Sequence, residues 1–114
     1  MDGNIQDKSF QFAVRIVKLC KILRNDRSEY VLSKQLLRSG TSIGANIAEA
    51  QQAQSRADFI AKLNVSLKET TETIYWLRLL EATDYLSEME YKSIISDCVE
   101  IEKILTASIK SLKK

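Results

Sequence analysis

The sequence contains no histidine and no proline, and only three of its 114 residues are glycine. Without histidine, Ser-His-Asp and Cys-His catalysis and the Glu-x-x-His ligand pairs of di-iron bundles are excluded. All-β folds depend on turns rich in proline and glycine, so the shortage of both residues argues against them. We therefore expect an all-α protein.

The chain has two cysteines and lacks an apolar run long enough to be a membrane span. Its longest nearly apolar run, Tyr75 to Leu80, contains Arg78 and is far shorter than the roughly 20 residues that a transmembrane helix needs. Met1 is followed by neither a basic nor an apolar segment, so no signal peptide is expected. These features predict a cytoplasmic protein with Cys20 and Cys98 reduced. Both lie on apolar stripes, which favours buried core thiols over a redox or metal-binding pair.

The composition is that of a folded domain, with 45% hydrophobic and 28% charged residues. We expect one domain over residues 1–114, large enough to bury a core. Apolar residues recur at helical spacing in four segments, which predicts helices over about 7–24, 29–52, 56–82 and 88–112. Four amphipathic helices with short connections predict an antiparallel up-down-up-down four-helix bundle.

Capping residues mark the predicted helix starts. Ser28 is placed to cap the second helix. Ser55 with Asp58, and Ser87 with Glu90, have the spacing of capping boxes for the third and fourth helices. In the first helix the pattern predicts one wide apolar face, in which Phe10, Ala13, Val17 and Cys20 repeat at helical spacing and Phe12, Ile16, Leu19 and Leu23 flank them.

Asn46 falls on the apolar stripe that the second helix is expected to turn toward the core. An antiparallel pairing about a turn near residues 54–55 brings together residues whose numbers sum to roughly 110. This register pairs Asn46 with Asn64, Arg38 with Glu72 and Glu49 with Lys62. We favour a structural contact between the two asparagines that fixes the register of the bundle. The alternative is a ligand or active site at Asn46, Glu49 and Asn64, although no nucleophile or tunable base accompanies them.

Two features predict close packing and self-association. Gly40 and Gly44 lie inside a helical pattern, where each costs about 1 kcal/mol relative to alanine, so a neighbouring helix is expected to approach them closely. Residues 75–80 are apolar nearly all the way round their helix, and one core can cover only one face. The candidate oligomer-interface residues are Gly40, Gly44, Trp76, Leu79 and Leu80.

Charge is distributed unevenly along the chain. The net charge is +2, and no acidic residue occurs from Lys8 to Asn25. The candidate nucleic-acid-binding cations are Lys8, Arg15, Lys18, Lys21, Arg24 and Arg27. On a single protomer they could form an ordinary solvated face, whereas a closed ring would repeat the stripe as a phosphate-binding surface.

Three segments carry a family resemblance: residues 37–49 (LRSGTSIGANIAE), 58–63 (DFIAKL) and 72–77 (ETIYWL). The chain resembles the 23S rRNA-intervening sequence protein family, four-helix-bundle proteins encoded within bacterial large-subunit rRNA genes. Ala50 departs from the family pattern, which usually has glycine there. The resemblance implies an antiparallel bundle that assembles as a homopentamer. Relatives include an accessory protein of diversity-generating retroelements, a basic pentamer that acts with nucleic acid and a reverse transcriptase.

The leading hypothesis is a non-enzymatic, oligomeric protein that associates with RNA through the basic face of the first helix. The alternative is a protein-interaction scaffold that recruits a partner protein through its oligomeric surface. An enzyme, which would need a cofactor near Asn46, is the weakest of the three hypotheses. Neither a cofactor nor a metal is expected.

Overall fold

The computed structural model describes residues 3–114, which form four helices joined by short turns. The helices are α1 (Gly3–Asn25), α2 (Leu32–Ala50), α3 (Arg56–Ala82) and α4 (Glu88–Leu112). Each helix packs against the next in the chain, and α4 returns beside α1. The domain measures 44 × 21 × 19 Å, which agrees with rods lying side by side. The predicted all-α four-helix bundle is confirmed, and residues 3–114 contain no strand.

One core runs the length of the bundle and receives side chains from all four helices. Large apolar side chains with less than 2% exposure include Phe12, Ile16, Leu23, Leu36, Ile43, Ile47, Leu63, Leu77, Leu80, Ile101 and Leu105. Because apolar surface removed from water contributes about 25 cal/mol per Å², this shared interior is the main stabilising element of the fold.

Only part of the wide apolar face predicted for α1 enters the core. Phe10 is 65% exposed and Val17 is 37% exposed, so the prediction that these two residues face the core is wrong. The buried line of α1 is Ile5, Ser9, Phe12, Ile16, Cys20 and Leu23. The apolar arc of α1 is wider than one core can cover, and its neighbour α2 selects which part of the arc is buried.

The glycines of α2 explain that selection. A Cβ atom on Gly40 would lie 2.9 Å from both Cγ1 and Cγ2 of Ile16, and one on Gly44 would lie 3.3 Å from the carbonyl oxygen of Ser9. The predicted close approach of a neighbouring helix is therefore confirmed, and the neighbour is α1 of the same protomer. Gly40 and Leu80 are buried inside the protomer, so their prediction as oligomer-interface residues is wrong.

The start of α2 is capped by a different residue from the one predicted. Ser28 has a φ of 55°, in the left-handed region, and it does not cap the helix. The carboxylate of Glu29 instead accepts hydrogen bonds from the backbone N–H groups of Val31 (3.2 Å), Leu32 (3.0 Å) and Ser33 (2.6 Å). Burial alone raises the pKa of Glu29, but these N–H groups outweigh it and the net pKa is lowered.

The other two caps follow the predicted residues more closely. Ser55 Oγ accepts a hydrogen bond from the Asp58 N–H at 3.0 Å. The Asp58 carboxylate, however, accepts from the Gln54 N–H rather than from Ser55, so the predicted box at this helix is only half formed. The reciprocal box of Ser87 and Glu90 is complete and confirms the prediction for α4.

The predicted register between α2 and α3 is correct, but the predicted asparagine contact is not. Arg38 bonds to both Glu72 and Glu69, and Lys62 lies 3.4 Å from Glu49. Asn46 donates instead to the Ser42 carbonyl and Asn64 to the Ile60 carbonyl, each within its own helix. Asparagine readily forms such local bonds to its own backbone, so the pair is not a contact between helices.

Candidate functional site

Three of the cations predicted to bind nucleic acid face α4, where acidic side chains pair with them. Lys8 forms an ion pair with Glu100, Arg15 lies 2.6 Å from Asp97, and Arg27 lies 2.7 Å from Glu90. The hydrogen bond that Lys8 donates to Glu100 raises the pKa of Lys8. These contacts partly neutralise one side of the basic stripe within the protomer.

The two arginines are held by more than their carboxylates. Arg15 also donates to the hydroxyl of Ser93 at 2.8 Å and to its carbonyl at 3.3 Å. Arg27 donates a bidentate pair of hydrogen bonds to the Glu90 carboxylate and a further bond to the Tyr85 carbonyl at 2.7 Å. That contact raises the pKa of Arg27 and, with the Ser87 N–H, lowers the pKa of Glu90 to about 2. A planar guanidinium favours such paired bonds to oxyanions.

The other three predicted cations differ from these in their surroundings. Lys18, Lys21 and Arg24 are exposed on α1, and no ion pair joins them to any side chain within residues 3–114. They lie within two helical turns near the C-terminal end of α1, a helix end that also favours positive charge. We call these three residues the free basic cluster.

The paired and unpaired cations adjoin each other at the groove between α1 and α4. A cavity of about 380 Å³ opens there. Its lining residues are Arg15, Lys18, Leu19, Ile22, Met89, Glu90, Ser93 and Ile94. Arg15, which is paired with Asp97, and Lys18, a member of the free basic cluster, therefore share one surface.

Sequence reasoning missed the acidic partners on α4, although a signal was present. Glu90, Asp97 and Glu100 are spaced by seven and three residues, which places them on one face of a helix. An antiparallel α4 turns that face toward the basic stripe of α1. Helix pairing, and not composition alone, therefore determines which cations are available.

An apolar patch lies on the other side of α1, beside α2. It consists of Phe10, Ala13 and Val17 of α1 with Ala45 and Ala48 of α2, and we call it the outer apolar patch. Phe10, Val17, Ala45 and Ala48 are exposed. A cavity of about 490 Å³ opens beside it. The cavity is lined by α1 residues Gln6, Asp7, Ser9, Phe10 and Ala13 and by α2 residues Thr41, Gly44, Ala45 and Ala48. The α1 residues of this patch belong to the apolar face that was predicted to lie against the core.

Trp76 is half-buried rather than freely exposed. Its indole N–H donates to Glu72 at 3.2 Å, and Glu72 is also bound by Arg38. The Tyr75 ring meets the Trp76 ring edge-on, with centroids 5.2 Å apart. The hydrogen bond from Arg38, followed by that from Trp76, lowers the pKa of Glu72. Arg38 and Glu72 therefore tie α2 to α3, and Trp76 binds the same carboxylate from within α3. Tyr75, 55% exposed, is the more accessible aromatic residue.

The thiols are suited to packing rather than chemistry. Cys20 and Cys98 are both free and buried, and burial raises their pKa values to about 11 and about 12, respectively. A nucleophilic or metal-binding cysteine needs a thiolate near neutral pH.

Within residues 3–114 no group of three or more potential metal ligands occurs. In that same part of the chain, no helix is long and apolar enough to cross a membrane.

Comparisons with known proteins agree with this architecture. The 23S rRNA-intervening sequence protein family matches residues 1–107. A solved structure described as a protein of unknown function from the S23 ribosomal protein family, from Bacteroides thetaiotaomicron, is 61% identical, with a TM-score of 0.92. The alignment covers 93% of this chain and 98% of that one. No curated protein matches the sequence. The chain therefore belongs to the 23S rRNA-intervening sequence protein family.

Proposed function

We propose that this protein is a non-catalytic, self-associating helical bundle that binds RNA through the free basic cluster. The observation that carries the proposal is that Lys18, Lys21 and Arg24 are exposed on one surface of α1 and form no ion pair with any side chain in the described part of the chain. Cations that are not neutralised by neighbouring carboxylates attract phosphates most strongly. The surface lacks interleaved aromatic residues for base stacking, so phosphate contacts dominate and sequence specificity is low.

The test is the triple variant Lys18→Glu, Lys21→Glu and Arg24→Glu, assayed by fluorescence anisotropy with a labelled single-stranded RNA. We expect the parent to bind with a plot of log K against log[salt] whose slope is about −2, as three phosphate contacts would give. The variant should lose binding while its circular dichroism remains that of the parent. Arg15 is left unchanged because it is already paired with Asp97.

A matched control separates the surface from the total charge. The variant Lys68→Glu, Lys103→Glu and Lys110→Glu changes the charge equally at exposed positions on α3 and α4. It should retain most of the RNA affinity. Equal loss in both variants would indicate attraction by net charge alone, and undiminished binding by the α1 variant would disprove the assigned surface.

We further propose that the outer apolar patch is the surface of self-association and that the assembly is a pentamer. Exposed apolar patches are costly on a monomer and usually mark interfaces. Native mass spectrometry should find the parent at five times the 13.0 kDa of one protomer. The change Phe10→Glu should shift it to smaller species. The control Met89→Glu, at a residue that is 82% exposed outside the patch, should leave the mass unchanged.

The second candidate function is a protein-interaction scaffold, for which the outer apolar patch is the favouring observation. In that case a partner protein such as a reverse transcriptase covers the patch. The two functions predict different results for RNA binding by the parent and for the capture of a partner protein by the Phe10→Glu variant. Partner capture from nuclease-treated extract that is lost in Phe10→Glu, together with no RNA binding by the parent, would favour the scaffold.

A further inference from the structure

The acidic residues of α4 occupy α1 cations in the way that a bound phosphate would. Arg15 contacts the Asp97 carboxylate at 2.6 Å and the Ser93 hydroxyl at 2.8 Å. Lys8 is held by Glu100, and Asp97 also raises the pKa of this lysine. A guanidinium that binds a carboxylate binds a phosphate oxygen with the same donors. The internal acids and an external polyanion therefore compete for the same groups.

Both ion pairs are open to such competition. The side chains of Lys8 and Glu100 are 35% and 49% exposed, and those of Arg15 and Asp97 are 40% and 45% exposed. Exposed pairs contribute little to stability, so replacing the carboxylate by a phosphate has a small cost to the fold. Arg15 also shares a groove with Lys18, so a strand bound at the free basic cluster lies next to it.

We propose that Asp97 and Glu100 are internal competitors of phosphate, which restrict the RNA-binding surface to the free basic cluster until they are displaced. This inference rests on the proposed RNA-binding function. Glu90 is not part of it, because its carboxylate also completes the cap of α4. Displacing Asp97 and Glu100 extends the binding surface along α1 to Arg15 and then to Lys8. The stripe then spans about 24 Å from Lys8 to Arg24, at 1.5 Å per residue.

The experiment compares Asp97→Asn/Glu100→Gln with the parent, using the same labelled RNA over a range of salt concentrations. Each released cation that then binds a phosphate steepens the salt slope by about 0.7 for a single strand. We therefore expect the slope of the double variant to be steeper by about 1.4, with tighter binding at low salt. If the double variant is poorly folded, Asp97→Asn alone should steepen the slope by about half as much.

The control is Glu49→Gln/Glu88→Gln, which makes the same change in net charge. It releases Lys62 and Lys92, which lie on other faces of the bundle, from their exposed pairs. The control should keep the slope of the parent. Equal slopes for the double variant and the control would overturn the internal competition while leaving the proposed function standing.

Further outcomes separate the inference from the proposed function. If neither the parent nor the double variant binds RNA at any salt concentration, both proposals are wrong. If only the double variant binds, the competition is supported, but the free basic cluster alone does not bind RNA and the proposed function is wrong in that part. If the triple variant of Lys18, Lys21 and Arg24 binds RNA as well as the parent does, the free basic cluster is not the RNA-binding surface. In that case, an unchanged slope in the double variant would disprove the competition as well.

Discussion

The hydroxyl oxygens of Ser39 and Thr73 lie 2.9 Å apart between α2 and α3, and both residues are fully buried. Thr73 also lies 2.8 Å from the Glu69 carbonyl. Nearby, Ser66 donates to the Ile43 carbonyl at 2.8 Å. These small hydroxyl groups provide the buried polar contacts between the two helices that the asparagines were expected to provide. They let α2 and α3 pack closely without an unsatisfied buried group, and none occurs among the described side chains.

The change Thr73→Val tests this contact. It removes the partner of a buried hydroxyl and should lower the free energy of unfolding by about 1–3 kcal/mol, measured by urea denaturation. Ser39→Ala/Thr73→Val removes both hydroxyls and should cost less than the sum of the single changes. Thr71→Val, at an exposed site on the same helix, should change stability by less than about 0.5 kcal/mol. Additive effects of the two single changes would show that the hydroxyls do not interact.

Replacement by alanine should affect the stability of the fold differently at Gly40 and at Gly44. At Gly40 the new Cβ would lie 2.9 Å from the buried side chain of Ile16. The resulting overpacking should destabilise the fold by about 1–3 kcal/mol. This loss should exceed the gain of about 1 kcal/mol from the higher helix propensity of alanine. At Gly44 the nearest atoms are at 3.3 Å, so Gly44→Ala should be closer to neutral in thermal unfolding. Ile16→Ala should partly relieve Gly40→Ala in the double variant. A Gly40→Ala variant more stable than the parent would contradict this packing.

Glu90 should contribute to acid sensitivity. Its pKa is about 2 in the folded protein, compared with an ordinary value of 4.5, mainly because Arg27 binds its charged form. A lowered folded-state pKa means that the stabilisation is present above about pH 4.5 and is lost as the pH falls toward 2. Glu90→Gln, which keeps a capping side chain but loses the charge, should show a weaker decline of the urea midpoint over this range. Glu88→Gln in the same turn is the control and should keep the decline of the parent.

The buried thiols should resist modification. Because burial raises the pKa values of Cys20 and Cys98 to about 11 and about 12, little thiolate exists at pH 8. Ellman's reagent should react slowly with the native protein and react with both thiols once denaturant is added. Ser96→Cys places a thiol at an exposed position of α4 and should react at once, which checks the reagent. Rapid reaction of either native thiol would show that the core opens there.

Much of the fold follows from local patterns. The bounds predicted for the third and fourth helices, 56–82 and 88–112, are those observed, because side-chain caps and helical periodicity are properties of neighbouring residues. The pairing of Arg38 with Glu72 also follows, since a short turn between antiparallel helices determines their register. The cap of α2 did not follow, because Ser28 adopts a left-handed turn conformation and Glu29 reaches forward to the helix N–H groups.

The candidate site was harder to predict because it depends on helices that are distant in the sequence. Periodicity identified the apolar and basic stripes of α1. It did not show which of the two apolar lines on this helix is buried, because both have helical spacing. Packing against Gly40 decided which line is buried and left Phe10 outside. The charge pattern likewise identified six cations, and the arrival of α4 beside α1 divided them into paired and unpaired groups.

The order of residues is therefore sufficient for four helices, their antiparallel course and a basic helix, because each depends on spacing within a few turns. The exposed apolar line of α1 and the availability of its cations were settled by three-dimensional packing. Burial and charge pairing depend on which surfaces meet, and no local spacing specifies that.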